Sequence, residues 1–154
     1  MTVLKSDWGG SVTILVSACL LGQNCKYNGG NNYSEKLAAL EKNHTLIPVC
    51  PEVLGGLPIP RSPAEIVNGV VTAKDGTVVD REFREGAELA LQIAASKGAE
   101  LAVLQSRSPS CGPKQVYDGT FSGTKIDGRG VFAELLSANG FQIIDIEDLK
   151  PDEY

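Results

Sequence analysis

Residues 12–18, VTILVSA, form the stretch that decides the fold. This run is continuously apolar and rich in β-branched side chains, so it has no face that suits water. Such a run is typical of a strand that is buried on both faces, as in a parallel sheet. The loop that follows, residues 19–32, is rich in glycine and asparagine. We therefore interpret residues 12–18 as the first strand of a sheet that is covered on both sides.

Further strands and helices alternate along the rest of the chain. The predicted strands are residues 45–49, 100–105 and 141–146, and the predicted helices are residues 35–41, 81–97 and 131–138. Ser34 and Asp80 are the predicted caps of the first two helices. Residues 70–79 predict a hairpin, because Asp75-Gly76 is a turn signal between two apolar runs. The pattern predicts a single-domain α/β fold with a mainly parallel open sheet, helices on both faces and a small β-hairpin.

Length and composition limit the class of protein. The 154 residues suit one domain, with residues 1–10 as a loose lead-in and residues 11–154 as the α/β domain. A formal net charge of -5 argues against a nucleic-acid binder, which usually has a basic face. No apolar run approaches the roughly 20 residues of a membrane span. The first residues do not read as a signal peptide, so we expect a cytoplasmic protein.

Three of the four cysteines come where a predicted strand ends. Cys19 follows the first strand, Cys50 the second and Cys111 the third, while Cys25 lies in the loop after Cys19. Parallel strands end at the same edge of the sheet, and ligands of open α/β sheets bind beyond that edge. We therefore expect these thiols to converge there.

The spacing of the cysteines favours some chemistries over others. There is no Cys-x-x-Cys pair, which argues against a structural zinc site and against a redox dithiol. The single histidine, His44, precedes a strand at its opposite end, so we interpret it as a surface residue and not as the base of a Cys–His pair. An iron–sulfur cluster needs only thiolates brought together in space. Buried structural thiols are the alternative, and the spacing leaves both open.

Several short motifs accompany these cysteines. They are SACLLG at 17–22, CKYNG at 25–29, PVCPE at 48–52, RSPAEIV at 61–67, SPSCG at 108–112, YDGTFSG at 117–123 and GRGV at 128–131. Together they resemble the thiouracil desulfidase family of small bacterial and archaeal domains, over residues 11–147. Lys26 and Asn28 depart from the pattern, because the family usually carries arginine and aspartate at these positions.

The resemblance implies an oxygen-sensitive 4Fe–4S cluster bound by Cys19, Cys50 and Cys111. It also implies an enzyme that removes sulfur from a small thiolated pyrimidine such as 2-thiouracil, giving uracil and hydrosulfide without net redox change. Glu52 lies two residues from one ligand, and we predict that it activates water as general base or returns the proton. Ser108 lies three residues before another ligand, and we predict that it donates a hydrogen bond to the substrate or relays a proton.

Other interpretations remain beside this one. A non-catalytic protein that carries a metal, a cluster or sulfur is the alternative function, and a plain thiol-containing domain with a pocket for a base is a third. Cys25 also matches a family cysteine and is interpreted as a neighbour of the ligands or a stand-in ligand. We expect Arg61 and Glu65 to form a structural ion pair or a helix start in preference to a substrate clamp. Core packing is favoured over stacking on a pyrimidine for Tyr117 and Phe121.

Overall fold

The structure is a computed structural model, and it describes residues 10–150. Within these residues the strands are β1 Thr13–Ser17, β2 Thr45–Val49, β3 Ala64–Val67, β4 Val70–Ala73, β5 Leu101–Leu104, β6 Gln115–Tyr117, β7 Lys125–Asp127 and β8 Gln142–Asp145. The α-helices are α1 Glu35–Ala38, α2 Pro51–Leu54, α3 Asp80–Ser96 and α4 Val131–Ala138. Short 3₁₀ helices cover Ala18–Leu21, Ala39–Lys42 and Ile146–Asp148.

The central sheet has the strand order β2-β1-β5-β8, and all its neighbours pair in parallel. Strand β1, the VTILVSA run, lies inside the sheet between β2 and β5. Its last residue, Ser17, is in register with Val49 at the end of β2. The predicted α/β fold with a mainly parallel sheet is confirmed.

The two faces of the sheet are buried under different helices. Side chains alternate along β1, so Leu15 lies on one face while Ile14 and Val16 lie on the other. The Leu15 face packs against α3 and α4, including the fully buried Phe132. The opposite face packs against α1 and the 3₁₀ helices, including the buried Leu37. Burial on both faces explains why β1 is apolar at successive positions.

Two antiparallel hairpins stand beside the sheet. Strands β3 and β4 are joined by Asn68-Gly69, both at positive φ as the tight turn between them requires. The predicted hairpin over residues 70–79 is therefore shifted. Asp75-Gly76 does form a turn, but it leads back to β4 through one isolated bridge between Thr72 and Val78. Strands β6 and β7 form the second hairpin.

Helix α2 lies directly against α3 through two glycines. A Cβ atom built on Gly86 of α3 would lie 1.8 Å from the Pro51 carbonyl oxygen, and one built on Gly55 would lie 1.9 Å from the Glu82 carbonyl oxygen. Only glycine permits backbones to approach this closely. The contact fixes Pro51, which stands between Cys50 and Glu52 in the chain.

Two local predictions are wrong. Asp80 does not cap α3, because its carboxylate accepts a hydrogen bond from the Val71 backbone N–H and thereby joins the helix to β4. His44 is not a surface residue. It is buried, its Nδ1 accepts a hydrogen bond from the Val12 backbone N–H, and burial lowers the pKa of the imidazole.

Most of the predicted lead-in cannot be compared with the structure, whose described residues begin at Gly10. The predicted lead-in, residues 1–10, lies outside the described residues except for Gly10. The helices found within residues 10–150 are all too short or too polar to cross a membrane.

Candidate functional site

A pocket of about 500 Å³ opens at the carboxyl edge of the parallel sheet. Its size is in the range of small-molecule sites. All four cysteines line this pocket, and none of them forms a disulfide. Glu52 and Ser108, the predicted catalytic residues, line it too. The structure therefore brings every predicted site residue to one pocket; that Cys19, Cys50 and Cys111 bind a cluster stays a prediction.

The position of each thiol follows from the strand that precedes it. Cys19 lies in the 3₁₀ helix that begins where β1 ends, and Cys50 comes directly after β2. Because β1 and β2 end in register, these two residues emerge at the same level of the sheet. Cys111 lies in the loop after β5, the other neighbour of β1.

The side chains of Cys19, Cys25 and Cys50 lie within hydrogen-bonding range of one another, with Cys25 between the other two. The Cys50 thiol donates to the Cys25 carbonyl oxygen at 3.9 Å. The pKa of Cys19 is lowered because its sulfur accepts from Cys25 and also from Asn32 Nδ2 at 3.7 Å. The pKa of Cys50 is raised, first because its thiol donates to Cys25. Cys25 thus lies between Cys19 and Cys50, and the sequence indicated it as a neighbour or a stand-in ligand.

Cys111 has a different environment from the other thiols. It is almost completely buried, and burial raises its pKa to about 12. Ser17 partly offsets this by hydrogen bonding to its sulfur, while Ser110 Oγ lies 3.7 Å from Cys111 Sγ and closer to Glu52, at 3.1 Å. Among residues 10–150, no three cysteine, histidine or acidic side chains are grouped so as to hold a single metal ion.

Glu52 lies in the first turn of α2, and both oxygens of its carboxylate have partners. Arg61 Nε donates to Oε1 at 3.1 Å, and Ser110 Oγ donates to Oε2 at 3.1 Å. The exposed fraction of the side chain is 17% for Glu52 and 7% for Arg61, so this is a largely buried ion pair that still reaches the pocket. Each carboxylate oxygen retains capacity to accept a second hydrogen bond.

The expected ion pair between Arg61 and Glu65 is wrong. Arg61 pairs with Glu52, while Glu65 Oε1 accepts hydrogen bonds from the backbone N–H groups of Gly119 and Phe121. Glu65 therefore fixes the loop between β6 and β7. The prediction of core packing is also wrong for Tyr117, which is half-buried and lines the pocket.

Ser108 fixes the turn that carries Cys111. Its Oγ accepts hydrogen bonds from the backbone N–H of Ser110 at 3.1 Å and of Cys111 at 2.9 Å. It also lies 3.1 Å from Ser110 Oγ, which in turn donates to Glu52. The turn needs Gly112, because a Cβ there would lie 2.7 Å from the Ser108 carbonyl oxygen.

Sequence reasoning missed the roles of Cys25, Arg61 and Ser110. Ser110 stands two residues after Ser108 in the SPSCG motif, and this spacing was a signal that the two hydroxyl groups lie close together. Arg61 gave no such signal, because its partner Glu52 is reached only through the fold of the intervening loop.

The fold and the pocket define a class of protein: a single α/β domain with a cysteine-rich site at the carboxyl edge of a parallel sheet. Residues 14–148 match the model of the 2-thiouracil desulfurase family, and the chain belongs to that family.

Two known proteins illustrate the similarity. The chain is 42% identical over 147 residues to the uncharacterized protein YbbK of Bacillus subtilis (strain 168), an alignment that covers 88% of this chain and 97% of the relative. It is 41% identical to the solved structure of the 4Fe-4S-dependent thiouracil desulfidase TudS, with a TM-score of 0.83. That match covers 92% of this chain and 95% of the other.

Proposed function

We propose that this protein is an iron–sulfur-dependent desulfidase that removes sulfur from a thiolated nucleobase such as 2-thiouracil. The observation that carries the proposal is the meeting of four free thiols and a half-buried carboxylate in one pocket of about 500 Å³. Family membership and the similarity to TudS support the reaction. Four unpaired thiols also suit a reducing compartment, so we place the protein in the cytoplasm.

The donor set of the pocket fits a 4Fe–4S cluster. Thiolates are the ligands that hold such clusters, and a cluster of several irons is larger than one ion and takes ligands that stand farther apart. We propose Cys19, Cys50 and Cys111 as its ligands, since each follows a different strand and all line the pocket. A cluster held by these three thiolates would supply a soft Lewis acid for the thiocarbonyl sulfur.

Glu52 is the group that moves a proton in this scheme. Its carboxylate accepts one proton from a water molecule as the water oxygen attacks the thiocarbonyl carbon. A new C–O bond forms and the C–S bond breaks, and the protons of the water leave with the sulfur. The balance is thiouracil plus water giving uracil plus hydrogen sulfide, so no oxidant or reductant is consumed.

The two serines support Glu52 from the other side of the pocket. Because Ser110 Oγ donates a hydrogen bond to Glu52, the Ser110 oxygen can accept a hydrogen bond from Ser108 Oγ. The hydrogen bonds then run in one direction, from Ser108 through Ser110 to Glu52. Ser108 therefore acts through Ser110 and through the turn of Cys111. Ser108→Ala removes the acceptor of two backbone N–H groups, so we expect a loss of about 1–2 kcal/mol in stability and a lower iron content. Ser110→Ala leaves those N–H groups bonded.

The first experiment tests the reaction itself. The protein is purified without oxygen, its iron, sulfide and visible spectrum are recorded, and it is incubated with an excess of 2-thiouracil. We expect many equivalents of uracil and sulfide per protein. A protein with its full iron content that releases at most one equivalent of sulfide would be a carrier and would contradict the proposal.

The second experiment tests the role of Glu52. Glu52→Gln keeps the size of the side chain and an acceptor oxygen but removes the base, so kcat should fall by about 10²-fold or more while the iron content stays unchanged. Glu88→Gln, on the exposed side of α3, is the matched control and should keep the wild-type rate. Wild-type turnover by Glu52→Gln would exclude Glu52 as the base.

A further inference from the structure

We propose that Arg61 is a positioning residue that aims the Glu52 carboxylate into the pocket. This inference rests on the proposed function only for its kinetic test. It concerns a residue that lines the pocket and whose guanidinium already donates from each of its three nitrogens to the protein itself.

The guanidinium group of Arg61 is occupied on all three nitrogens. Nε donates to Glu52 Oε1 at 3.1 Å, Nη1 donates to the Pro58 carbonyl oxygen at 3.1 Å, and Nη2 donates to the Cys25 carbonyl oxygen at 2.8 Å. Only 7% of the side chain is exposed. A guanidinium with partners on all three nitrogens is fixed in its plane, which in turn fixes the direction from which Nε meets Glu52.

Arg61 also joins segments that are far apart in the sequence. Its backbone N–H donates to the Tyr27 carbonyl oxygen at 2.7 Å, close to the Cys25 carbonyl that its side chain binds. The loop after β1 is thereby held against the start of α2. The Cys25 carbonyl oxygen also faces the Cys50 thiol at 3.9 Å. One residue therefore sets the distance between the thiol loops and the carboxylate.

The orientation of the Glu52 carboxylate depends on two donors on opposite oxygens. With Arg61 on Oε1 and Ser110 on Oε2, rotation of the carboxylate is blocked. Without Arg61 the carboxylate keeps a single neutral donor and is free to turn. A lysine at this position restores the charge but has no planar fork, so it cannot bind Glu52 and both carbonyls with the same geometry.

The kinetic test compares Arg61→Met with Arg84→Met. Arg84 makes an exposed ion pair with Asp80 and serves as the control for the removal of a paired arginine. We expect Arg61→Met to lower kcat for 2-thiouracil by between about 10- and 100-fold with little change in KM, because a carboxylate out of position slows the reaction without weakening binding. Arg61→Lys should fall between wild type and Arg61→Met. A raised KM with unchanged kcat would instead make Arg61 a substrate clamp and overturn the inference.

A double-mutant cycle separates positioning from a general structural role. If Arg61 acts through Glu52, adding Arg61→Met to Glu52→Gln should cost less than about twofold beyond Glu52→Gln alone. Multiplied losses would overturn the inference. Should Arg61→Met fail to fold, Arg61→Lys takes its place in the same cycle.

A structural readout keeps this inference independent of the proposed function. In a crystal structure of the Arg61→Met protein we expect the Glu52 carboxylate to be turned from its wild-type orientation while α2 stays in place. An unmoved carboxylate would overturn the inference even if the enzyme is active. A wild-type protein that does not release sulfide would refute the proposed function alone, since the displacement of Glu52 would still be measured.

Discussion

Replacing Gly86 with alanine tests the close contact that holds α2 in place. The added Cβ would lie 1.8 Å from the Pro51 carbonyl oxygen and 2.9 Å from the Gly55 backbone nitrogen. Both atoms belong to the backbone, so no side-chain rotation relieves the clash. Helix α2 must move away from α3, and Cys50 and Glu52 must move with it.

Two effects of opposite sign decide how much Gly86→Ala changes the free energy of unfolding. Alanine is a better helix former than glycine by about 1 kcal/mol, which alone would stabilise α3. Overpacking of a close contact costs about 1–3 kcal/mol, and a clash with backbone atoms belongs at the upper end. We therefore expect Gly86→Ala to lower the free energy of unfolding by about 2 kcal/mol. For a domain of this size, that corresponds to a fall in Tm of about 4–8 °C.

The assay combines thermal unfolding followed by circular dichroism with iron content and turnover. Glu88→Ala is the control, because Glu88 is exposed on the same helix and should stay within about 0.5 kcal/mol of wild type. We expect turnover by Gly86→Ala to fall more than its stability explains, since the displaced helix carries Glu52. A Gly86→Ala protein that is as stable as wild type, or more so, would refute the close contact of α2 with α3.

Three further changes give predictions elsewhere in the molecule. Phe132→Ala removes a fully buried ring and should lower the free energy of unfolding in urea by about 3–5 kcal/mol; a loss below 1 kcal/mol would contradict its place in the core. The pKa of Asp80 is lowered, first because its carboxylate accepts a hydrogen bond from the Val71 backbone N–H. The ionised carboxylate therefore stabilises the fold at a pH above its unfolded-state pKa of about 4. This stabilisation is lost as the pH falls through the lower pKa of the folded state. Asp80→Asn should therefore have a lower Tm than wild type at pH 7, and this difference should shrink below about pH 4. A difference in Tm that does not change with pH would contradict the interaction. Glu65→Ala should speed hydrogen exchange in residues 117–123, whereas Glu65→Gln, which keeps an acceptor oxygen, should change it less; equal protection in the two variants would count against the hydrogen bonds described.

The central sheet could be predicted from the sequence because its signal is local. The VTILVSA run is apolar at every position that a doubly covered strand requires, and the structure buries Ile14, Leu15 and Val16 completely. The edge at which the thiols meet followed from the same signal, since residues placed directly after parallel strands share that edge.

The turn between β3 and β4 had a clear sequence signal that the prediction of the hairpin at residues 70–79 did not use. Asn68-Gly69 is flanked by Ile66-Val67 and Val70-Val71, which is a strong sequence pattern for a two-residue hairpin turn. Asp75-Gly76 has the same turn chemistry. Two turn signals so close together compete, and only the pairing of β3 with β4 decides between them.

The partners of charged and polar side chains could not be read from the sequence. Arg61 lies nearer in sequence to Glu65, yet it binds Glu52, because the loop between them folds back on α2. His44 is buried, and its ring accepts a hydrogen bond from the Val12 backbone N–H at the edge of the sheet opposite the pocket. Such pairings depend on where loops return, and they leave no periodic pattern in the chain.

The strand order of the sheet also has a consequence for the time at which the pocket can exist. Strand β1 is synthesised first, yet its neighbour β5 begins only at Leu101, after roughly two thirds of the chain. A nascent chain that has left the ribosome only as far as α3 carries Cys19, Cys25 and Cys50 but lacks Cys111 and half of the hydrogen bonds of β1. With Cys111 as one of the proposed ligands, we expect the cofactor to be loaded only after β5 and the loop that follows it have been synthesised, and the earlier thiols to need reducing conditions until then.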